Sequence, residues 1–562
     1  MAGGFDIEKL LAEAEAGGPG AALAARRAAA LAEAAHPEQA KRALTLAARL
    51  DPYDAAPRLA LARVHAENGD IDAARAEASA LLSEAVDEAA RARAAFMLGE
   101  IARALGEREN ARTYFAQTAT IEEGLLKADR SSPHAARWFA RARGRLAEID
   151  AAEGALARAQ AGAEGALAML KATAAQISET PLLAADIADA EMRLGAIELD
   201  RSAPESARRR FGEAIARYEA LTLIEPDETH WRAMLADCWA LAAEADFARG
   251  AGDAARSGID KAMAVRAKLA RGDDHERWGL AGLMRTRGAL LAALGDAKGA
   301  ALSLEQARLI AEQIAADGAA LAQRFLVQTL RDQTDHALRT GDLETARAAA
   351  DAARRIAEPR ARDKDAEWLS ELAACWDRLG EYALAARGAA QDPFARAAEF
   401  RRMAHDAARD DPSHRRALTT ALIKAGDAAA RAGERNGAHA YFSEAVSHRL
   451  ALSQAAPDGP GAAHALAIAL ERLGLAAAAR GDAEEARAAW ESELDLAGRI
   501  FTDPHAPETL RFCAIVESHL AGLGGVDSGA LREAALSRLD ALASAGALTE
   551  RDIALRKKLW SA

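Results

Sequence analysis

The stretch WRAMLADCWALAAEADFARG, Trp231 to Gly250, returns as WLSELAACWDRLGEYALAARG at Trp368 to Gly388. Counted from the first Trp, both copies place Leu at +4, Ala at +5, Cys at +7, Trp at +8 and Glu at +13. One helix is therefore written twice, 137 residues apart, about three turns of a period that the rest of the sequence also keeps. Helix breakers of the Gly-Asp or Gly-Glu kind, or their equivalents, fall near Ala35, Gly69, Gly106, Gly154, Ser202, Gly250, Gly295, Gly341, Gly388, Gly433 and Gly481. Their spacing starts at 34 and 37 and then holds between 45 and 48.

A second, offset series (Pro133, Pro181, Pro226, Gly272, Gly318, Pro359, Pro412, Pro457, Pro504) keeps the same beat. Gly tolerates the left-handed residue that ends one helix, and Pro forbids continuation of the next. Two offset series with one period predict two helices per unit, the signature of a solenoid. Between the breakers the apolar pattern is helical: Ala300, Leu304, Ala307, Ala311 and Ile314 recur at intervals of 4, 3, 4 and 3. No comparable stretch alternates with period two, so no sheet is expected.

Composition agrees. Of 562 residues 51% are hydrophobic, mostly Ala, while 28% are charged and only 4% aromatic. Ala is the best helix former and lets helices approach closely. The net charge of −13, with both signs interleaved, predicts no nucleic-acid surface. Arg208 to Arg210, and the group Arg354, Arg355, Arg360 and Arg362, have acids close by and read as solvated helix faces. Three distant cysteines, Cys238, Cys375 and Cys513, suit a reducing compartment. Asp6, Glu8, Glu13 and Glu15 near the start exclude the basic leader of a signal peptide, and no charge-free stretch of 18 apolar residues is present. A cytoplasmic protein with no membrane span is expected.

The units resemble tetratricopeptide repeats. Leu98, Gly99, Gly106, Ala111 and Phe115 follow that pattern in order; so do Leu473, Gly474, Gly481, Ala486 and Trp490, and again Gly426, Gly433, Ala438, Phe442 and Ala445. Ala40, Leu44, Ala47 and Pro52 fit its second half in the first unit. The resemblance implies an all-α, right-handed superhelix of about eleven helix-turn-helix repeats, covering roughly residues 21 to 505. Residues 1–20 read as a leader or cap, 21–130 as short units, and 131–521 as long units of about 45–48 residues. A Gly-rich linker at 522–530 and a C-terminal helical hairpin at 531–562 follow. The dozen extra residues per long unit add roughly 18 Å of helix at 1.5 Å per residue. This long form, with Trp231 and Trp278 after the breaker, is similar to arrays that bacterial signalling proteins carry beside catalytic domains. Leu536, Leu539, Leu542, Gly546, Leu548, Thr549, Asp552, Ile553, Lys557 and Leu559 are similar to the SHOCT motif, which implies self-association. A hairpin capping the last apolar face is the plainer reading, and Thr549 with Asp552 makes a helix-start capping box.

Signatures of chemistry are missing. The sequence has no Walker loop, His-Glu-x-x-His, Cys-x-x-Cys, Gly-x-Ser-x-Gly or calcium loop, so no enzyme, cofactor or metal is expected. Cys238 and Cys375 sit beside Trp239 and Trp376 at equivalent places, as small buried knobs would. His230, His275 and His414, near unit junctions, read as caps or surface residues; Asp273 with Asp274, and Asp410 with Asp411, read as helix-start acids. Trp138, Trp231, Trp278 and Trp368, with Phe325 on the same beat, read as packing wedges rather than a ligand cage.

The family binds partners along the concave face formed by first helices. Carried onto this sequence, that implies a groove lined by Arg93, Glu100 and Arg103, by Asp237 and Glu244, and by Arg285, Gln328, Arg331 and Asp335. The family's Asn-and-Lys clamp for a terminal carboxylate is not expected, since Asn occurs only at Asn68, Asn110 and Asn436, all at turns. The expected role is a scaffold or adaptor binding a protein or peptide. The alternative is a regulatory sensor whose superhelix tightens on a small peptide or metabolite.

Overall fold

The computed structural model describes residues 2–32, 37–52, 54–67, 70–85, 87–177, 179–226, 228–269, 274–409, 411–455 and 460–561. The breakers expected at Ala35, Gly69, Gly272 and Pro457, together with Asn68, Asp273 and Asp410, lie outside them, as does the His275 side chain. The described residues are helical throughout and contain no strand. They form two compact units, Met1–Asp332 and Gln333–Ala562, with the boundary inside the helix Ala320–Thr340.

In the first unit a single helix, Ala2–Ala16, precedes a run of hairpins. The later ones pair Glu88–Leu105 with Arg108–Ala128, Pro133–Ala152 with Leu156–Gln176, and Pro181–Asp200 with Pro204–Ile224. Thr229–Ala248 then pairs with Gly252–Leu269, and Asp274–Ala293 with Ala297–Ile314. In the second unit Ala366–Ala385 pairs with Gln391–Ala407, Pro412–Arg431 with Arg435–Ala455, and Pro460–Arg480 with Ala483–Asp495. Helices between Ala21 and Glu84 have 12 to 14 residues; those from Glu88 to Ala455 have 17 to 21. Each unit is a stack of antiparallel helical hairpins.

The breakers explain the helix ends. Gly106, Gly154, Gly250, Gly295, Gly341, Gly433 and Gly481 all adopt positive φ, where a Cβ would be strained. Two turns depart from that rule. Ser202 takes the left-handed conformation at φ 60, and at the turn assigned to Gly388 it is Arg387, at φ 56, that does so. Pro133, Pro181 and Pro412 open their helices behind the caps Ser132, Thr180 and Asp411. Pro359 does not break its helix; it lies in the last turn of Leu343–Arg360. Pro504 precedes a helix that starts at Pro507.

Among the described residues, a glycine crosses an aromatic ring in five hairpins and holds the pair closed, and at Gly288 the partner is Leu304 instead. A Cβ added at Gly99 would sit 2.6 Å from Phe115 Cε1, at Gly195 2.7 Å from Phe211 Cε1, and at Gly380 2.6 Å from Phe394 Cε1. Gly426 meets Phe442 and Gly474 meets Trp490 in the same way. The backbones are closer than any side chain would permit, and the rings, at most 3% exposed, fill the space beside the crossing.

Aromatic wedges join neighbouring hairpins as the sequence implies. Trp231 and Trp368 are 7% and 9% exposed. Trp138 meets Phe96 edge-on at 5.2 Å, and Trp278 meets Phe325 at 5.1 Å. Gly461–Arg480 has a mean hydropathy of 1.4 in its most apolar window, yet half of that window is buried in the unit. Its Arg472 is ion-paired to Asp427, so it packs as a core helix. At the C-terminus Pro507–Gly522 packs on Ser528–Ser544 through Leu510, Ala514, Ala535 and Leu539. The Thr549 backbone N–H donates to Asp552 Oδ2 at 2.8 Å and the Asp552 N–H to Thr549 Oγ1 at 3.3 Å, completing the capping box. Asp552 also pairs with Arg511 at 3.0 Å, which ties the last helix to the preceding hairpin.

Candidate functional site

A crossing residue fixes a register on each first helix from Glu88–Leu105 to Pro460–Arg480. These residues are Gly99, Ala147, Gly195, Ala243, Gly288, Thr334, Gly380, Gly426 and Gly474, 45 to 48 apart. One position after them stand Glu100, Glu148, Glu244, Asp335, Glu381 and Asp427; two positions before stand Arg145, Arg193, Arg378, Lys424 and Arg472. Positions three apart share one helix face, so acid and base form a stripe.

Stacking brings the acid of one hairpin against the base of the next. In the first unit Arg145 Nε donates to Glu100 at 2.7 Å and Arg193 Nε to Glu148 at 2.7 Å. In the second, Arg378 lies 2.7 Å from Asp335, Lys424 2.9 Å from Glu381 and Arg472 3.2 Å from Asp427. Arg103 adds to Glu100 at 2.9 Å, and Arg145 also reaches Glu148 at 2.9 Å. Burial alone would raise the Glu148 carboxyl, but the Arg193 and Arg145 guanidiniums outweigh it and hold the group below the usual carboxylate range.

The rungs fail over one stretch of the first unit. After Glu148 the acid position is Ala196 and the base position Leu241; after Glu244 the base position is Thr286. Glu244 consequently has no hydrogen-bond or ion-pair partner among the described residues, and burial followed by the nearby Asp200 carboxylate pushes its pKa up. Asp237, two turns earlier, reaches Arg266 at 3.4 Å, but burial outweighs that cation, Glu276 adds to the effect, and the group is also raised. The next first helix presents Gly282, Thr286 and Ala289 on this face, and a Cβ at Gly282 would meet nothing within 4 Å. Pairing resumes with reversed sign: Arg285 Nε donates to Asp332 at 2.6 Å and Nη1 to Gln328 at 3.5 Å, with its guanidinium 5.2 Å from the Phe325 centroid.

In the second unit the same face opens into a cleft lined by Arg339, Asp377, Arg378, Glu381, Leu384 and Lys424, among others. Every lining residue belongs to a first helix. Asp377 Oδ1 is buried there without a hydrogen-bond partner, and burial raises its pKa although Lys424, Arg401 and Arg378 oppose the shift.

The residues expected in the groove thus fall into separate clusters. Glu100 and Arg103 meet each other. Arg93 turns back to its own helix start, donating to the Ala89 carbonyl at 3.1 Å with Asp87 3.8 Å away. Asp237 and Glu244 share a stripe, Arg285 and Gln328 meet, and Arg331 lies half-buried one turn before Asp335. Asp335 pairs within the second unit. The sequence reading missed the five cations of the ladder; the signal was their fixed place two residues before each crossing residue.

No family model and no curated protein matches the chain. Among solved structures it is similar to the apo form of RapI, at 13% identity and a TM-score of 0.42, over 71% of this chain and 98% of that one. It is also similar to yeast Tom70 (13% identity, TM-score 0.39, 89% and 95% covered) and to a Rap protein complexed with Competence and Sporulation Factor (14%, 0.38, 68% and 99%).

The other polar groups singled out in the sequence are absorbed by structure. Cys238, Cys375 and Cys513 are buried free thiols, and burial pushes Cys238 and Cys513 above the usual thiol range, opposite to what a nucleophile needs. Arg208 pairs with Asp246 at 3.0 Å and Arg210 with Glu191 at 3.2 Å. His230 meets Trp231 at a tilt, with ring centroids 5.2 Å apart, whereas His414, expected near the surface, is 6% exposed and 3.2 Å from Ser370 Oγ.

Proposed function

We propose that this chain is a non-enzymatic, cytoplasmic scaffold that binds a protein or peptide along the first-helix face of its hairpins. The observation that supports this reading best is the cleft of the second unit, which three consecutive first helices line by themselves with carboxylates, guanidiniums and an ammonium in alternation. A surface of that kind suits an extended segment with polar side chains. Two of its three walls are helices locked by Gly–aromatic crossings, at Gly380 and Gly426, so little ordering entropy is lost by the scaffold on binding.

Affinity purification of the full chain tests the proposal, with Arg378→Glu and Lys424→Glu as paired variants. Loss of a specific protein partner from both variants is expected. Recovery of no protein partner, together with a small molecule that strongly raises the melting temperature, would contradict it.

A further inference from the structure

The break in the ladder carries a more specific conclusion, which rests on the reading just given. Five carboxylates at this one register each have a cation from the next hairpin within 3.2 Å. Glu244 occupies the same register on the helix Thr229–Ala248, and its neighbour offers Thr286. The position is thus shaped by the repeat to receive a cation that the described chain does not supply.

Its surroundings differ from those of the other rungs in a consistent direction. Leu241 replaces the arginine one turn earlier, and Phe247, one turn later on the same stripe, is 39% exposed. Asp200, at the end of the neighbouring helix, is exposed and adds a second negative charge without a cation partner. Gly282, Thr286 and Ala289 leave the facing helix bare where long side chains stand elsewhere. A carboxylate, an adjacent apolar side chain and free space beside both make one composite surface.

We infer that the stripe Leu241–Glu244–Phe247, facing Gly282–Thr286–Ala289, receives an arginine or lysine side chain of a protein partner, with an apolar neighbour of that residue resting on Leu241 and Phe247. The visiting cation takes the place that Arg145, Arg193, Arg378, Lys424 and Arg472 hold in the other rungs. Charge complementarity selects the occupant: a neutral or acidic segment would leave the half-buried Glu244 uncompensated beside the exposed Asp200.

The test uses the full chain and peptides selected from a random twelve-residue display library, with affinities read by fluorescence anisotropy. Glu244→Gln removes the charge without changing shape. Thr286→Arg lets the chain complete its own rung, and Asp406→Asn, which removes an acid engaged by Arg409 on a second helix, serves as the control. Both first-unit variants should melt at or above the wild-type midpoint, since neither breaks an existing pair. The proposal expects enriched peptides with Arg or Lys beside an apolar residue, weakened on the order of tenfold or more by Glu244→Gln and by Thr286→Arg but not by Asp406→Asn. Peptides that bind equally well to the Glu244→Gln and Thr286→Arg proteins would overturn the proposed site while leaving first-helix binding intact. Failure to enrich any saturable peptide would overturn both.

Discussion

Replacing a glycine by alanine in the middle of a helix normally stabilises it, by about 0.5–1 kcal/mol, because glycine loses more backbone entropy on folding. Gly165, exposed on Leu156–Gln176 with nothing within 4 Å of an added Cβ, should behave so. Gly426 should not. There the new Cβ lies 2.5 Å from Phe442 Cε1 and 2.8 Å from both Cδ1 and Cζ, against an ordinary carbon separation of about 3.5–4.0 Å. Phe442 is 2% exposed, so its ring has little room to swing away and the two helices of the hairpin must part. Overpacking of this kind costs about 1–3 kcal/mol, which outweighs the propensity gain of about 1 kcal/mol. Gly426→Ala should therefore lower stability by up to about 2 kcal/mol while Gly165→Ala raises it. Urea unfolding followed by circular dichroism would measure both, with hydrogen exchange at Pro412–Ala455 to locate the change, since a repeat array need not unfold as one block. Phe442→Leu should cost less in the Gly426→Ala background than alone, a coupling of about 1 kcal/mol. A Gly426→Ala protein as stable as the Gly165→Ala protein, with no coupling to Phe442, would refute the crossing as the clamp of the hairpin.

Trp278→Ala should cost about 2 kcal/mol through loss of the half-buried indole and its contact with Phe325, seen as a lower unfolding midpoint; an unchanged midpoint would remove the wedge assignment. Glu122 is fully buried, neither carboxylate oxygen has a hydrogen-bond partner, and its pKa is raised to about 7 from the usual 4.5, chiefly by burial. The native state is thus spared this penalty below about pH 4.5, and loses stability as pH rises through about 7. Glu122→Leu, the residue found 48 positions later at Leu170, should stabilise by about 1–2 kcal/mol at pH 8 after allowance for solvent screening, and by less at pH 5; a gain independent of pH would show that the ionised carboxylate is not the source. Arg145→Leu, which removes the rung to Glu100 and the same-helix pair with Glu148, should cost about 1–2 kcal/mol, whereas Arg409→Leu, removing an exposed pair with Asp406, should stay within about 0.5 kcal/mol in the same denaturation assay.

The fold was legible because its determinants are local. A glycine at the left-handed turn, a proline at a helix start and a small residue at the crossing each act within a few residues, and the repeat states them again and again. Ser202 and Arg387 escaped the rule because the helix-closing backbone bonds, from the Ala203 N–H to the Glu198 carbonyl and from the Gly388 N–H to the Ala383 carbonyl, form around a non-glycine left-handed residue, at a cost on the order of 1 kcal/mol. The proposed binding face was only half legible. Its acids, including Glu100, Glu244 and Asp335, could be placed by resemblance, but each one's state depends on a partner some 45 residues away, fixed only when the hairpins stack. Glu100 is satisfied by Arg145 and Asp335 by Arg378, while Glu244 is distinguished by what Thr286 lacks. The buried Glu122 and His414 likewise look like ordinary surface residues until neighbouring hairpins close over them.

Site-resolved photo-crosslinking tests the central claim most directly. A benzoylphenylalanine placed at Ala289 or Leu384 on first helices, and at Arg209 or Arg409 outside them, would report which face a bound protein touches. The account predicts protein adducts at the first-helix positions, with those at Ala289 suppressed by Thr286→Arg. Adducts confined to the other positions would contradict it.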